Sequence, residues 1–167
     1  MATTMLKGNT VNLAGNEVKV GDKAPQVTVT NSEGLADKVV GGAQGKKQLI
    51  VVVPSLDTPV CATETRQFNA KAAELTDVDV TIVSMDLPFA AGRFCSTEGI
   101  SNLTVASDFR NKDFANAYGV LIADGALAGV TCRAIFAVDA NGIVTYKEIV
   151  PEITEEPNYD NALAAVK

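Results

Sequence analysis

The chain contains no histidine and no tryptophan, only three cysteines, and 5% aromatic residues. Without imidazole, Ser-His-Asp triads, Cys-His proteases, histidine-ligated zinc and histidine acid–base catalysis are excluded. Long apolar runs are also missing. The longest are five residues, as in Leu49–Val53, far short of the roughly 20 residues that cross a bilayer, and the opening Met-Ala-Thr-Thr-Met-Leu-Lys-Gly has no apolar signal core. Nor is there an excess of basic residues. Fourteen Lys and Arg against 20 Asp and Glu leave a net charge of −6, the wrong sign for a phosphate backbone. A cytoplasmic protein with neither a nucleic-acid nor a membrane partner is expected. Three cysteines spaced 34 and 37 residues apart, with no C-x-x-C, fit neither a secreted disulfide framework nor a zinc module. In a reducing compartment they are either packed core residues or reactive thiols.

The 167 residues predict a single domain over 1–167, large enough to bury about 69% of its unfolded surface and so to need no disulfide staple. Leu49–Val53 is apolar on both faces, as a strand in the middle of a covered sheet must be, and Pro54 ends it. Further strands are expected at Val27–Thr30, Val78–Ser84, Leu103–Ala106, Val130–Val138 and Ile143–Val150. The turn Asp139-Ala140-Asn141-Gly142 joins the last two as a hairpin. Met5–Val20 reads as an N-terminal hairpin turning at Ala14-Gly15-Asn16. Helices are expected at Cys61–Leu75, Asn111–Tyr118 and Pro157–Val166. The first of these lines up Cys61, Thr65, Phe68, Ala72 and Leu75 on one face. This pattern predicts an α/β, thioredoxin-like fold: a central mixed sheet flanked by helices, with a β-hairpin at the N-terminus.

Chemistry concentrates where the buried strand meets the first helix, Pro54-Ser55-Leu56-Asp57-Thr58-Pro59-Val60-Cys61. Thr58 followed by Pro59 is an N-cap and first-turn pair, which puts Cys61 at the third helical position. There the unpaired N–H groups and the helix dipole favour a negative sulfur. Ionisation alone contributes little: a thiol with an ordinary pKa is roughly 3% thiolate at neutral pH, so full ionisation is worth about 30-fold, or ~2 kcal/mol. Fast chemistry also needs donors that hold the electrophile and its leaving group. On spacing alone, Cys61 reads equally well as a packed core residue. Arg133 stands out for a different reason, because an arginine inside the apolar run Val130–Val138 is costly unless it is paired.

Pro54, Thr58 and Cys61 form P-x-x-x-T-x-x-C, which resembles the active-site motif of the peroxiredoxins. Ser84–Ala90, Arg93-Phe94-Cys95, Ala117–Val120, Ala123-Asp124-Gly125 and Glu152-Ile153-Thr154 with Glu156, Pro157 and Tyr159 resemble blocks of the bacterial thiol peroxidase subfamily. The resemblance covers essentially the whole chain. It implies that Cys61 is the peroxidatic cysteine and passes through a sulfenic acid, with Arg133 as the active-site arginine, Thr58 orienting the sulfur and peroxide, and Pro54 shielding the pocket. It also implies that Cys95 is the resolving cysteine of an intramolecular disulfide with Cys61. Hydrogen peroxide and organic hydroperoxides would be the substrates and thioredoxin the reductant, with no metal, haem or flavin, and the protein would be a homodimer.

By residue spacing alone, the three cysteines allow three pairings. Cys132 has no counterpart in the motif, and strand alternation turns it away from Arg133, so it reads as a packed apolar residue. The segment Leu87–Cys95 is a weak helix, with Pro near its start and Gly92 inside it. If the thiol form holds Cys61 and Cys95 apart, this helix and the start of the Cys61 helix must unwind before a disulfide can form. A thioredoxin-like redox sensor or binding domain, carrying a Cys61–Cys95 switch without turnover, is the alternative function.

Overall fold

A computed structural model describes residues 2–167. In chain order the strands and helices are β1 (Thr3–Leu6), β2 (Asn9–Ala14), β3 (Val27–Asn31), β4 (Asp37–Val40), β5 (Lys47–Val52), α1 (Pro59–Ala72), β6 (Val78–Ser84), α2 (Pro88–Glu98), β7 (Thr104–Ser107), α3 (Asp113–Tyr118), β8 (Leu121–Ile122), β9 (Ala134–Val138), β10 (Val144–Ile149) and α4 (Tyr159–Ala164). Seven strands form one mixed sheet in the order β10-β9-β5-β6-β7-β3-β4, and β1, β2 and β8 form a small second sheet. Within this sheet only β5–β6 and β6–β7 pair in parallel among the described residues. This is the thioredoxin-like mixed sheet that the alternating pattern predicts.

The two faces of β5 explain its unbroken apolar run. Leu49, Val51 and Val53 pack with Cys61 and Phe68 of α1, Ala91 of α2 and Ala162 of α4. Ile50 and Val52 pack on the opposite side with Phe114, Ala115 and Tyr118 of α3 and with Val11, Leu13 and Ile122 of the small sheet. Alternation along one strand thus divides the core into two layers. On the second layer Phe114 stacks on Tyr118 at 4.3 Å, and Tyr118 meets the edge of Phe136. No helix among the described residues is long and apolar enough to cross a membrane.

Several boundaries differ from the sequence expectation. The N-terminal hairpin turns at Lys7-Gly8, where both residues have positive φ and Leu6 pairs with Asn9. Two consecutive left-handed residues make the tight turn that suits strand twist. Gly15 serves close approach instead: a side chain there would start 2.5 Å from the Asn116 carbonyl oxygen. The expected strand Val130–Val138 is regular only from Ala134. Before it, Cys132 N–H donates to the Val120 carbonyl and Thr131 bridges to Leu121, so the chain has crossed to the small sheet. Strand β4 pairs with β3 and carries too few apolar residues to be legible beforehand.

Gly119 ends α3 at φ +68°, and an added Cβ would lie 2.7 Å from the Asn16 carbonyl oxygen. Gly119→Ala is expected to lower the unfolding free energy by about 1–3 kcal/mol in urea titration. An unchanged midpoint would show that the cap is not constrained.

Candidate active site

At the end of β5, Val53 N–H donates to Val83 and Pro54 halts the ladder. The next four residues fold into a turn: the Thr58 N–H and hydroxyl both donate to the Ser55 carbonyl, at 3.2 and 2.8 Å. Thr58 occupies the N-cap with extended backbone, and Pro59 opens the helix, as expected. The Thr58 side chain makes no capping hydrogen bond, however; its hydroxyl instead donates back to the Ser55 carbonyl. Cys61 falls at the third helical position and is fully buried.

Arg133 comes from the residue before β9 and is 2% exposed. Its Nη1 donates to Cys61 Sγ at 3.4 Å and to Glu64 Oε2 at 2.6 Å, while Nε donates to the Ile153 carbonyl at 2.9 Å. The guanidinium is therefore held on three sides and presents a fixed positive charge and an N–H to the sulfur. Glu64, one helical turn beyond Cys61 on α1, is fully buried, and its Oε1 has no hydrogen-bond partner. Burial raises the Glu64 carboxyl to about 7, although the Arg133 charge and hydrogen bond pull it down; Glu148 and Glu156 push the same way as burial. Seen from the other partner, burial opposes the charged arginine, and the neighbouring Cys61 and Glu64 outweigh it and raise Arg133. Attraction holds the pair together, and desolvation sets the carboxyl's protonation.

A cavity of about 250 Å³ opens beside Arg133, bordered by Pro54, Thr58, Leu127, Val130, Arg133 and Ile153. Its walls are mostly apolar side chains, with the guanidinium as the charged element. A wider cleft of about 900 Å³ among Lys46, Lys71, Asp77, Asp160 and Lys167 contains no cysteine and does not include Arg133.

The structure thus brings Pro54, Thr58, Cys61 and Arg133 together and leaves Cys95 elsewhere. All three cysteines are free thiols. Cys95, half-buried on α2, faces a separate cavity of about 550 Å³ with Asn31, Ser32, Glu33 and Gly92. Burial raises its thiol, a hydrogen bond with Ser32 opposes that, and Glu33 adds to it. Cys132 is fully buried in the opposite core layer, and burial pushes its thiol up to about 12. Sequence reasoning missed Glu64. The signal was present, since a buried arginine requires an anion and Glu64 stands three residues after Cys61 on the same helix.

A redoxin family model matches residues 19–163. The chain is 56% identical over 165 residues to a thiol peroxidase of Aquifex aeolicus, covering 99% of this chain and 96% of that one. It is 55% identical over 158 residues to a thiol peroxidase of Campylobacter jejuni, covering 95% and 89%. A crystal structure of a peroxiredoxin-like protein from Aquifex aeolicus superposes with a TM-score of 0.95 at 56% identity, covering 98% of this chain and 95% of that one. The chain therefore belongs to the redoxin family. Within it, the chain stands with the thiol peroxidases, enzymes of the peroxiredoxin class.

Because the folded Glu64 carboxyl is raised above its unfolded value, its stabilising contribution is fully present below about 4.5 and is lost as pH rises through about 7. The stability of the parent relative to Glu64→Gln is therefore expected to fall between about pH 5 and about pH 8 in urea titrations. Parallel profiles for the two proteins would overturn this assignment.

Proposed function

We propose that Cys61 is the peroxidatic cysteine of a two-cysteine thiol peroxidase. Its thiolate attacks one peroxide oxygen, the O–O bond breaks, and the departing oxygen takes a proton from solvent to leave as water or an alcohol while the sulfur becomes a sulfenic acid. The observation that carries this reading is the Arg133 hydrogen bond to Cys61 Sγ at 3.4 Å. That guanidinium also borders the small cavity, where it can donate to the peroxide and stabilise the departing oxygen. The apolar walls suit the organic part of a hydroperoxide as well as hydrogen peroxide itself. Pro54 and Thr58, whose hydroxyl is held by Ser55, border the same cavity, where Pro54 would shield the peroxide and Thr58 would orient it.

Cys95 then condenses with the sulfenic acid in the same chain: its thiol supplies the proton, the S–O bond breaks, the S–S bond forms, and water leaves. Cys61 is fully buried beside Arg133, and Cys95 faces a separate cavity that Cys61 does not border, so this step requires local opening. Thioredoxin, a dithiol protein, would reduce the disulfide and return both thiols. Cys132 takes no part, since it lies in the other core layer.

Intact mass after one equivalent of peroxide tests the assignment. The parent and Cys132→Ser are expected to lose two hydrogens, and Cys95→Ser to gain one oxygen. Disulfide formation that survives in Cys95→Ser would move the resolving role to Cys132. Arg133→Met is expected to slow the peroxide step by about 100–1,000-fold in stopped-flow measurements. It also leaves Glu64 without its partner, so the comparison belongs at a pH where the variant is shown to be folded. Near-parental rates would remove Arg133 from the reaction.

A further inference from the structure

The turn entering α1 and the turn entering α2 are tied together by a single side chain. Asp86, between β6 and α2, accepts from Ser55 Oγ through Oδ1 at 2.7 Å, and from Leu56 N–H and Ser84 Oγ through Oδ2 at 2.7 and 2.9 Å. Among the described residues, both hydrogen bonds that cross between residues 54–58 and residues 85–87 end on this carboxylate. Its reach extends further on each side. Ser55 Oγ accepts from Asp57 N–H, and the Ser55 carbonyl holds Thr58. The Asp86 carbonyl accepts from Ser107 of β7. By contrast, α2 has little else holding its start: there is no side-chain cap, only Pro88 and Ala91 are buried along it, Gly92 lies inside it, and Leu87 and Phe89 are 53% and 72% exposed.

We propose that Asp86 is a positioning residue that latches the Cys61 turn and the Cys95 helix to one another, so that both segments open together. Such a latch, which rests on the proposed Cys61–Cys95 chemistry, sets the fate of the sulfenic acid. In the closed form the sulfenic sulfur can attack a second peroxide, gaining an oxygen as sulfinic acid while water or an alcohol leaves. In the open form Cys95 reaches it, and the disulfide and water form. A carboxylate accepting three hydrogen bonds is a strong tie, and it holds the site closed while the first peroxide reacts.

Hydrogen exchange on the reduced protein tests the latch without any turnover. In Asp86→Asn the carboxylate charge is lost and one oxygen can no longer accept. Amides of Leu56–Ala62 and Leu87–Gly99 are expected to exchange about 10–100-fold faster, together, while those of Leu49–Val52 stay unchanged. Acceleration of only one segment, or of neither, overturns the coupling. Ser55→Ala, a milder change, is expected to accelerate both segments by about 5-fold and serves if Asp86→Asn does not fold. In excess peroxide, the ratio of disulfide to sulfinic acid by intact mass is expected to rise in either variant. An unchanged ratio would overturn the role in turnover. A parent protein inert to peroxide would overturn the proposed function and leave the exchange result standing.

Discussion

A guanidinium cannot be buried without anions and acceptors around it, and the arrangement of this molecule follows from how Arg133 meets that requirement. One turn of α1 supplies both a sulfur and a carboxylate, at Cys61 and Glu64, and the chain beyond β10 supplies a carbonyl at Ile153. These groups come from different parts of the sequence and meet only because β9 pairs with β5 on the sheet. Fixing the cation therefore fixes the register of the two strands that deliver the site. A shift by one residue would turn Arg133 into the other core layer and bring Cys132 to the sulfur.

The same geometry separates the two working halves of the site. The half around Cys61 is dense and buried, with Arg133 held on three sides and one Glu64 oxygen left without a partner. The half around Cys95 is more open, on a helix that buries few residues. Rigid positioning suits the step in which charge develops on a small oxidant. A loosely held helix suits the step in which a second sulfur must travel.

Much of this is legible in the sequence. The unbroken run Leu49–Val53 marked the centre of the sheet, because only a strand covered on both faces tolerates apolar side chains at every position. The Thr58-Pro59 pair located the helix start, and the improbable arginine marked its own importance. What was not legible depended on tertiary contact. The sequence points to Ala14-Gly15-Asn16 as the hairpin turn, but its glycine is needed for approach to α3 and the chain turns at Lys7-Gly8. Strand β9 starts late because Thr131 and Cys132 bond to β8 and its neighbour, a pairing no local pattern announces. Glu64 passed as one more charge on a helix until its partner was known. The roles of Asp86 and Ile153 rest on a carboxylate and a carbonyl whose directions only folding determines.

The hairpin of β1 and β2 also bears on the site. Met5 N–H donates to Pro151, Ile153 N–H donates to Met5, and Thr4 Oγ1 donates to Val150, so β1 lies along the segment whose Ile153 carbonyl grips Arg133. During synthesis Cys61 leaves the ribosome more than seventy residues before the guanidinium it answers to, and about ninety before the carbonyl that steadies that guanidinium. The nascent chain thus carries a cysteine without its arginine, and β1 waits for a partner that lies 146 residues downstream of Thr4. The reactive centre is assembled only when these distant parts of the chain close on each other.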